Sequence, residues 1–69
     1  MEFLKVFDEL KTRAPKISMS LIYDNADRIW KLEVCREEYT IFKIIGNNLE
    51  LLFQNAYSKL QVHRWELER

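Results

Sequence analysis

The sequence predicts an α+β domain: a helix, a three-stranded antiparallel meander and a second helix, with both helices on one face of the sheet. Three observations support this fold class. Near both ends of the chain, apolar residues recur at steps of three and four, the period of a helix. Between these segments apolar and polar residues alternate, the period of a strand. The 69 residues, with one Gly and one Pro, indicate a single folded domain over residues 1–69.

The first predicted helix covers residues 2–14. Its apolar residues form one broad stripe, which should face the core. Pro15 ends the helix, because the residue before a proline avoids the α region. The stripe consists of Phe3, Leu4, Phe7, Leu10 and Ala14.

The next two segments, residues 17–23 and 28–36, alternate in polarity and predict an antiparallel hairpin. The connection, residues 24–27, is rich in Asp and Asn, which bond to their own backbone in turns.

Residues 38–45 are compatible with two structures. As a strand, the segment would place Thr40, Phe42 and Ile44 towards the core, with Lys43 pointing outwards. As a helix, it would begin the last helix near Thr40. The β-branched residues and the following Gly46 favour the strand.

The last predicted helix runs from about residue 48 to 65 and frays beyond Trp65. Asn47 is the expected N-cap, and Glu50 would complete a capping box. The core-facing stripe is Leu49, Leu52, Phe53, Ala56, Leu60 and His63.

Together these elements predict two different sheet faces. The face beneath the helices should carry Ile17, Met19, Leu21, Trp30, Leu32, Val34, Phe42 and Ile44. The opposite face should be open to solvent, yet it would carry four Ile and one Tyr among its polar residues. Water-facing positions of an antiparallel sheet are usually polar, so this composition suggests a contact surface.

Charge and cysteine content narrow the function classes. Eleven basic and eleven acidic residues balance, whereas nucleic-acid-binding domains usually carry net positive charge. One cysteine, Cys35, cannot form an internal disulfide, which favours a reducing compartment, and we expect the cytoplasm. No apolar run approaches the roughly 20 residues that a membrane span requires, so no membrane partner is expected.

The residue pattern does not indicate an enzyme, a metal site or a cofactor. Cys35 and His63 are the only soft ligands, and a structural zinc site uses four. The predicted strand parity points Cys35 away from the helices, so the two residues should not form a catalytic dyad. A single Gly leaves no glycine-rich phosphate loop.

Nucleic-acid binding is an alternative. The predicted element order is similar to that of double-stranded-RNA-binding domains, which place lysines at the start of their last helix. Here that position reads Asn47-Asn48-Leu49-Glu50, without a base, so the family is not assigned. A second basic surface could form from Arg28, Lys31, Arg36 and Lys43 with Tyr39 on the open sheet face.

The leading interpretation is a non-enzymatic protein-interaction domain, such as an adaptor, inhibitor or accessory subunit. Its partner would be another protein or its own copy in a homodimer. A structural subunit of a larger assembly is a further alternative. The candidate interaction surface consists of Ile22, Ile29, Lys31, Tyr39, Ile41, Lys43 and Ile45 on the sheet, with Tyr57 and Trp65 on the last helix.

Overall fold

The computed structural model describes residues 2–68 and confirms the α+β class and its order of elements. The three strands form one antiparallel sheet in the order β1-β2-β3, and the helices pack on one side of it. The ambiguous segment is a strand. The elements are α1 (Glu2–Arg13), β1 (Ile17–Asp24), β2 (Ile29–Arg36), β3 (Tyr39–Gly46), α2 (Leu49–Val62) and α3 (Arg64–Leu67).

The start of α2 differs by one residue from the prediction. The N-cap is Asn48, whose side-chain oxygen accepts a hydrogen bond from the backbone N–H of Leu51 at 3.1 Å. Asn47 was therefore the wrong cap. Glu50 lies only two residues after Asn48, so the spacing of a capping box is absent.

Both hairpin connections depend on a residue in the left-handed region. Asp24 organises the first turn, because its Oδ1 accepts from the backbone N–H groups of Ala26 and Asp27. Arg28, with a φ of 56°, then returns the chain to β2. In the second connection Glu37 has a φ of 57°, and its backbone N–H donates to the Lys16 carbonyl at 3.0 Å.

The pairing of β2 with β3 contains a β-bulge. Val34 pairs with Phe42, but the next residue, Cys35, pairs with Thr40, so Ile41 is the extra residue. Successive side chains of a strand point to opposite faces of the sheet. The extra residue therefore moves the β3 side chains that precede it to the face opposite the one that simple alternation predicts. Thr40 therefore lies opposite Cys35 and is exposed, and the predicted core position of Thr40 was wrong.

The core lies between the sheet and the helices. Helix α2 covers β2 and β3, while α1 packs mainly against α2. The buried hydrophobic side chains are Phe3, Phe7, Leu10, Ala14, Ile17, Leu32, Val34, Phe42, Leu52, Phe53, Ala56, Leu60 and Leu67. Besides Thr40, two predicted core residues are exposed: Leu4 of α1 is 42% exposed, and Leu21 is 38% exposed because no helix covers that end of β1. Met19, Trp30, Ile44 and Leu49 are half-buried against the core.

Residues 64–67 form a short helix where the sequence predicted the end of one long helix and fraying beyond it. Helix α3 follows α2 after a bend at His63, and Leu67 within it is completely buried. The predicted fraying beyond Trp65 was wrong for this segment. Leu67 of this segment completes the core, whereas the sequence had predicted frayed chain there.

Candidate functional site

The sheet face opposite the helices, called here the open face, is formed by side chains that share cross-strand rows. Residues directly opposite each other in an antiparallel pair point to the same side of the sheet. Register therefore assigns Ser18, Ser20, Ile22 and Asp24 of β1, Ile29, Lys31, Glu33 and Cys35 of β2, and Thr40, Lys43 and Ile45 of β3 to this face. Four of the predicted surface residues fall in one half of this face: Ile22 of β1, Ile29 and Lys31 of β2, and Ile45 of β3.

That half contains an apolar row. Lys31 pairs with Ile22 on one side and with Ile45 on the other, so the two isoleucines flank the lysine. Ile22 is 58% exposed and Ile45 is 60% exposed. Ile29 lies beside the row at the sheet end and is half-buried. Two large aliphatic side chains this exposed on one face form a patch rather than scattered surface residues.

The charge in this patch is partly neutralised. The Lys31 ammonium lies 3.2 Å from Asp24 Oδ2. The other oxygen of this carboxylate, Oδ1, accepts the two backbone hydrogen bonds of the first turn. The backbone N–H of Asp27 and the ammonium of Lys31 lower the pKa of Asp24 below its ordinary value. With its charge paired, Lys31 contributes its hydrocarbon stem to the apolar row.

The other half of the open face is polar. Glu33 pairs with Lys43 across the strands, and Cys35 lies between Ser18 and Thr40. The Cys35 Sγ is 3.4 Å from Glu33 Oε1, and burial raises the pKa of the thiol, with the nearby Glu33 carboxylate adding to the rise. A raised pKa reduces the fraction of thiolate, which is the reactive form of a cysteine.

Two predicted surface residues of β3 lie elsewhere. The bulge places Tyr39 opposite Arg36, on the helix side of the sheet, and Ile41 packs against the core. Both line a groove of about 420 Å³ together with Arg36 and Glu66 of α3. Their expected position on the open face was therefore wrong, although Tyr39 is highly exposed.

The two predicted residues of the last helix are also separate from the open face. Tyr57 is half-buried against the core and lines a groove of about 780 Å³ between α1 and α2, with Phe3, Leu49 and Phe53 among its neighbours. Trp65 belongs to α3 and is exposed. The structure thus divides the nine candidates into an open-face group and residues on the helix side.

The residues with chemical reactivity do not converge. His63 stacks on Phe42, whose side chain lies on the helix side, whereas Cys35 lies on the open face. Among residues 2–68, no group of three or more His, Cys, Asp or Glu side chains could hold a metal ion. None of the helices within these residues has the length and apolar character to cross a bilayer.

An exposed apolar group lies along β1 on the helix side of the sheet, and only Leu21 of this group was predicted to be in the core. Leu21 and Tyr23 are exposed on the helix side, and the Tyr23 ring packs against Trp30 with centroids 4.9 Å apart. Alternation reveals on which face a side chain lies, but not how far the helices extend over that face. In the sequence, the one sign that Tyr23 lies at the end of the sheet is its position directly before the predicted turn.

Comparison with known proteins does not add to this geometry: no protein-family model, curated protein or solved structure matches the chain.

Proposed function

We propose that this chain is a non-enzymatic protein-interaction domain and that the apolar half of its open face contacts the partner. The row formed by Ile22, Lys31 and Ile45 is the observation that supports this function. Burying exposed apolar side chains is favourable by about 25 cal/mol per Å² of surface removed from water. The paired charge of Lys31 and Asp24 adds a polar group that can set orientation at the edge of such a contact.

The open face favours a protein over a nucleic acid. Alternation along β2 separates the basic residues considered for phosphate binding, because Lys31 and Lys43 lie on the open face whereas Arg36 shares the helix side with Leu32 and Val34. Lys31 is already paired with Asp24, and Glu33 faces Lys43. A surface with these neutralising carboxylates attracts phosphates weakly. The free thiol of Cys35 supports a reducing compartment, and we propose the cytoplasm.

The test compares two variants that exchange an exposed aliphatic residue for a lysine. Ile45→Lys changes the open face, and Val62→Lys makes the same kind of change on α2, where Val62 is 67% exposed against 60% for Ile45. Each variant and the unchanged chain are immobilised, and bound cellular proteins are identified with and without nuclease treatment.

We expect a protein that binds the unchanged chain and Val62→Lys, and whose binding falls at least tenfold with Ile45→Lys. Nuclease treatment should not alter this result. Equal binding by both variants would place the contact outside the open face. Binding that disappears with nuclease would favour the nucleic-acid alternative instead.

A further inference from the structure

The free edge of β1 is unusually open to another strand. Exposed sheet edges are normally blocked by lysines, prolines, bulges or a covering element, because their unpaired backbone groups can bind a further strand. The opposite edge of the sheet, β3, has two of these features: the bulge at Ile41 and the outward Lys43. The β1 strand has neither, since its pairing with β2 is unbroken and Ile17–Tyr23 contains no charged residue or proline.

The hydrogen bonds at the start of β1 reveal which backbone groups face the free edge. The Glu37 N–H donates to the Lys16 carbonyl, so Lys16 directs its backbone groups towards β2. Direction alternates along a strand, and the backbone groups of Ile17 therefore face outwards. The contacts of Ile17 agree with this direction, because its N–H donates to Ala14 and its carbonyl accepts from the Lys11 ammonium.

By the same alternation, the next outward-facing backbone groups belong to Met19, Leu21 and Tyr23. Ile17, at the start of β1, already has partners: Lys11 of α1 and Ala14 of the connection between α1 and β1. The side chains of these three residues lie on the helix side of the sheet, where Leu21 and Tyr23 remain exposed. Open backbone groups and uncovered apolar side chains thus coincide on the same three residues.

We propose that the β1 edge binds a second copy of this chain, as an antiparallel pair of β1 strands related by a two-fold axis through Leu21. This register pairs Leu21 with its counterpart and Met19 with the Tyr23 of the copy. It forms about six backbone hydrogen bonds and uses every outward group of the three residues in both copies. An axis at Met19 would instead require the backbone groups of Ile17, which already have partners.

The charges at the two ends of β1 are complementary in this arrangement. Antiparallel pairing brings the start of one β1 beside the end of the other. The start carries Lys11 and Lys16, and the end carries Asp24 and Asp27. Within one chain Lys16 already pairs with Glu37 at 3.0 Å and Asp24 pairs with Lys31 at 3.2 Å, so these charges add to the backbone pairing only as a secondary contribution. The two-fold axis places these unlike charges together twice, while the uncharged centre of the strand meets itself without repulsion.

The resulting dimer would contain one six-stranded sheet. The exposed Ile22 of each copy would lie beside Ser20 of the other on the open face, in the pairs where side chains approach most closely. On the helix side, Leu21 and Tyr23 would be covered by the copy. This inference is independent of whether the open face binds a different protein.

Light scattering and sedimentation of the unchanged chain test the dimer directly, and two variants test its location. Leu21→Lys introduces a blocking charge at the β1 edge, and Ile45→Lys is the matched control at the other edge strand. We expect a dimer for the unchanged chain and for Ile45→Lys, and a dissociation constant at least tenfold higher for Leu21→Lys. A monomer up to about 1 mM for the unchanged chain, or equal dimerisation of both variants, would overturn the proposal.

Amide hydrogen exchange in the unchanged chain tests the register without any substitution. At high concentration the N–H groups of Met19, Leu21 and Tyr23 should become protected, and dilution should remove that protection. The N–H groups of Ser20 and Ile22 face β2 and should be protected at both concentrations. Absence of a concentration-dependent change at the three outward amides would exclude the β1 edge. If Ile45→Lys loses the protein partner but still forms the dimer, the β1 edge and the open face are two distinct contact sites.

Discussion

The imidazole of His63 stacks on the ring of Phe42, with centroids 5.7 Å apart and 23° between the ring planes. This contact joins the centre of β3 to the bend between α2 and α3. His63 Nδ1 also lies 2.8 Å from Glu66 Oε1, so the same side chain holds the first turn of α3. The position of α3 over the sheet therefore depends on this ring together with the buried Leu67.

Replacing His63 tests the contribution of this ring. We expect His63→Ala to lower the free energy of unfolding by about 1 kcal/mol, because an aromatic pair adds roughly that amount beyond its buried area. His63→Phe should retain most of the stability, since it keeps a ring against Phe42. Urea denaturation followed by circular dichroism measures both. Equal losses with Phe and with Ala would show that the hydrogen bond to Glu66, which both variants lack, matters more than the stacking.

The buried side chain of α3 provides a second test. Leu67 has no exposed surface, so Leu67→Ala should cost about 2–5 kcal/mol, the usual range for a core leucine. Leu52→Ala in α2 should fall in the same range. Leu51→Ala, which truncates an exposed leucine of the same helix, should change the stability by less than about 0.5 kcal/mol. An unchanged unfolding curve for Leu67→Ala would show that α3 does not contribute to the core.

The left-handed conformation of Arg28 predicts a stabilising substitution. A residue with a Cβ pays roughly 1–2 kcal/mol for this conformation, whereas glycine does not. We expect Arg28→Gly to raise the free energy of unfolding by about 1 kcal/mol after the greater chain entropy of glycine in the unfolded state is included. Arg28→Ala is the matched control, because it removes the same side chain but keeps the Cβ. Equal melting temperatures for the two variants would contradict this explanation.

The carboxylate of Asp24 predicts a loss of stability in acid. The Asp27 N–H and the Lys31 ammonium hold its pKa below the ordinary value of 3.8 in the folded chain. A lowered folded-state pKa stabilises the fold above the unfolded-state pKa, and this contribution disappears as pH falls through the folded-state pKa. Stability should therefore decrease below about pH 4.

Asp24→Asn tests this assignment, because the amide keeps an oxygen for the turn but cannot ionise. Its unfolding curve should depend less on pH between about 4 and 2 than that of the unchanged chain. Asp8→Asn in α1 is the control for a general effect of removing a carboxylate. A pH dependence that remains the same in Asp24→Asn would assign the acid sensitivity to other carboxylates, such as Glu37, whose pKa is lowered by Lys16.

The candidate surface was only partly accessible from the sequence. Strict alternation in β1 and β2 correctly placed Ile22, Ile29 and Lys31 on the open face, and Lys43 correctly indicated the parity of the second half of β3. The same reasoning failed for Tyr39, because the extra residue at the bulge reverses the face of the side chains before it, and for Ile41, which is itself the extra residue. A bulge depends on pairing with a partner strand, and no local period records it.

The sequence by itself determined the order of the elements and the type of α1, β1, β2 and α2, because helix and strand periods are local properties of the residues that follow one another. It favoured a strand over residues 38–45 without excluding a helix, and it did not predict the division between α2 and α3. It also determined which side chains form the centre of the core, such as Leu32 and Val34, since these alternate without interruption. Only the tertiary structure decided the bulge at Ile41, the burial of Leu67 and the exposure of Leu21. These features depend on which backbone groups pair across strands and on how much of the sheet the helices cover, and both arise from contacts between residues far apart in the chain.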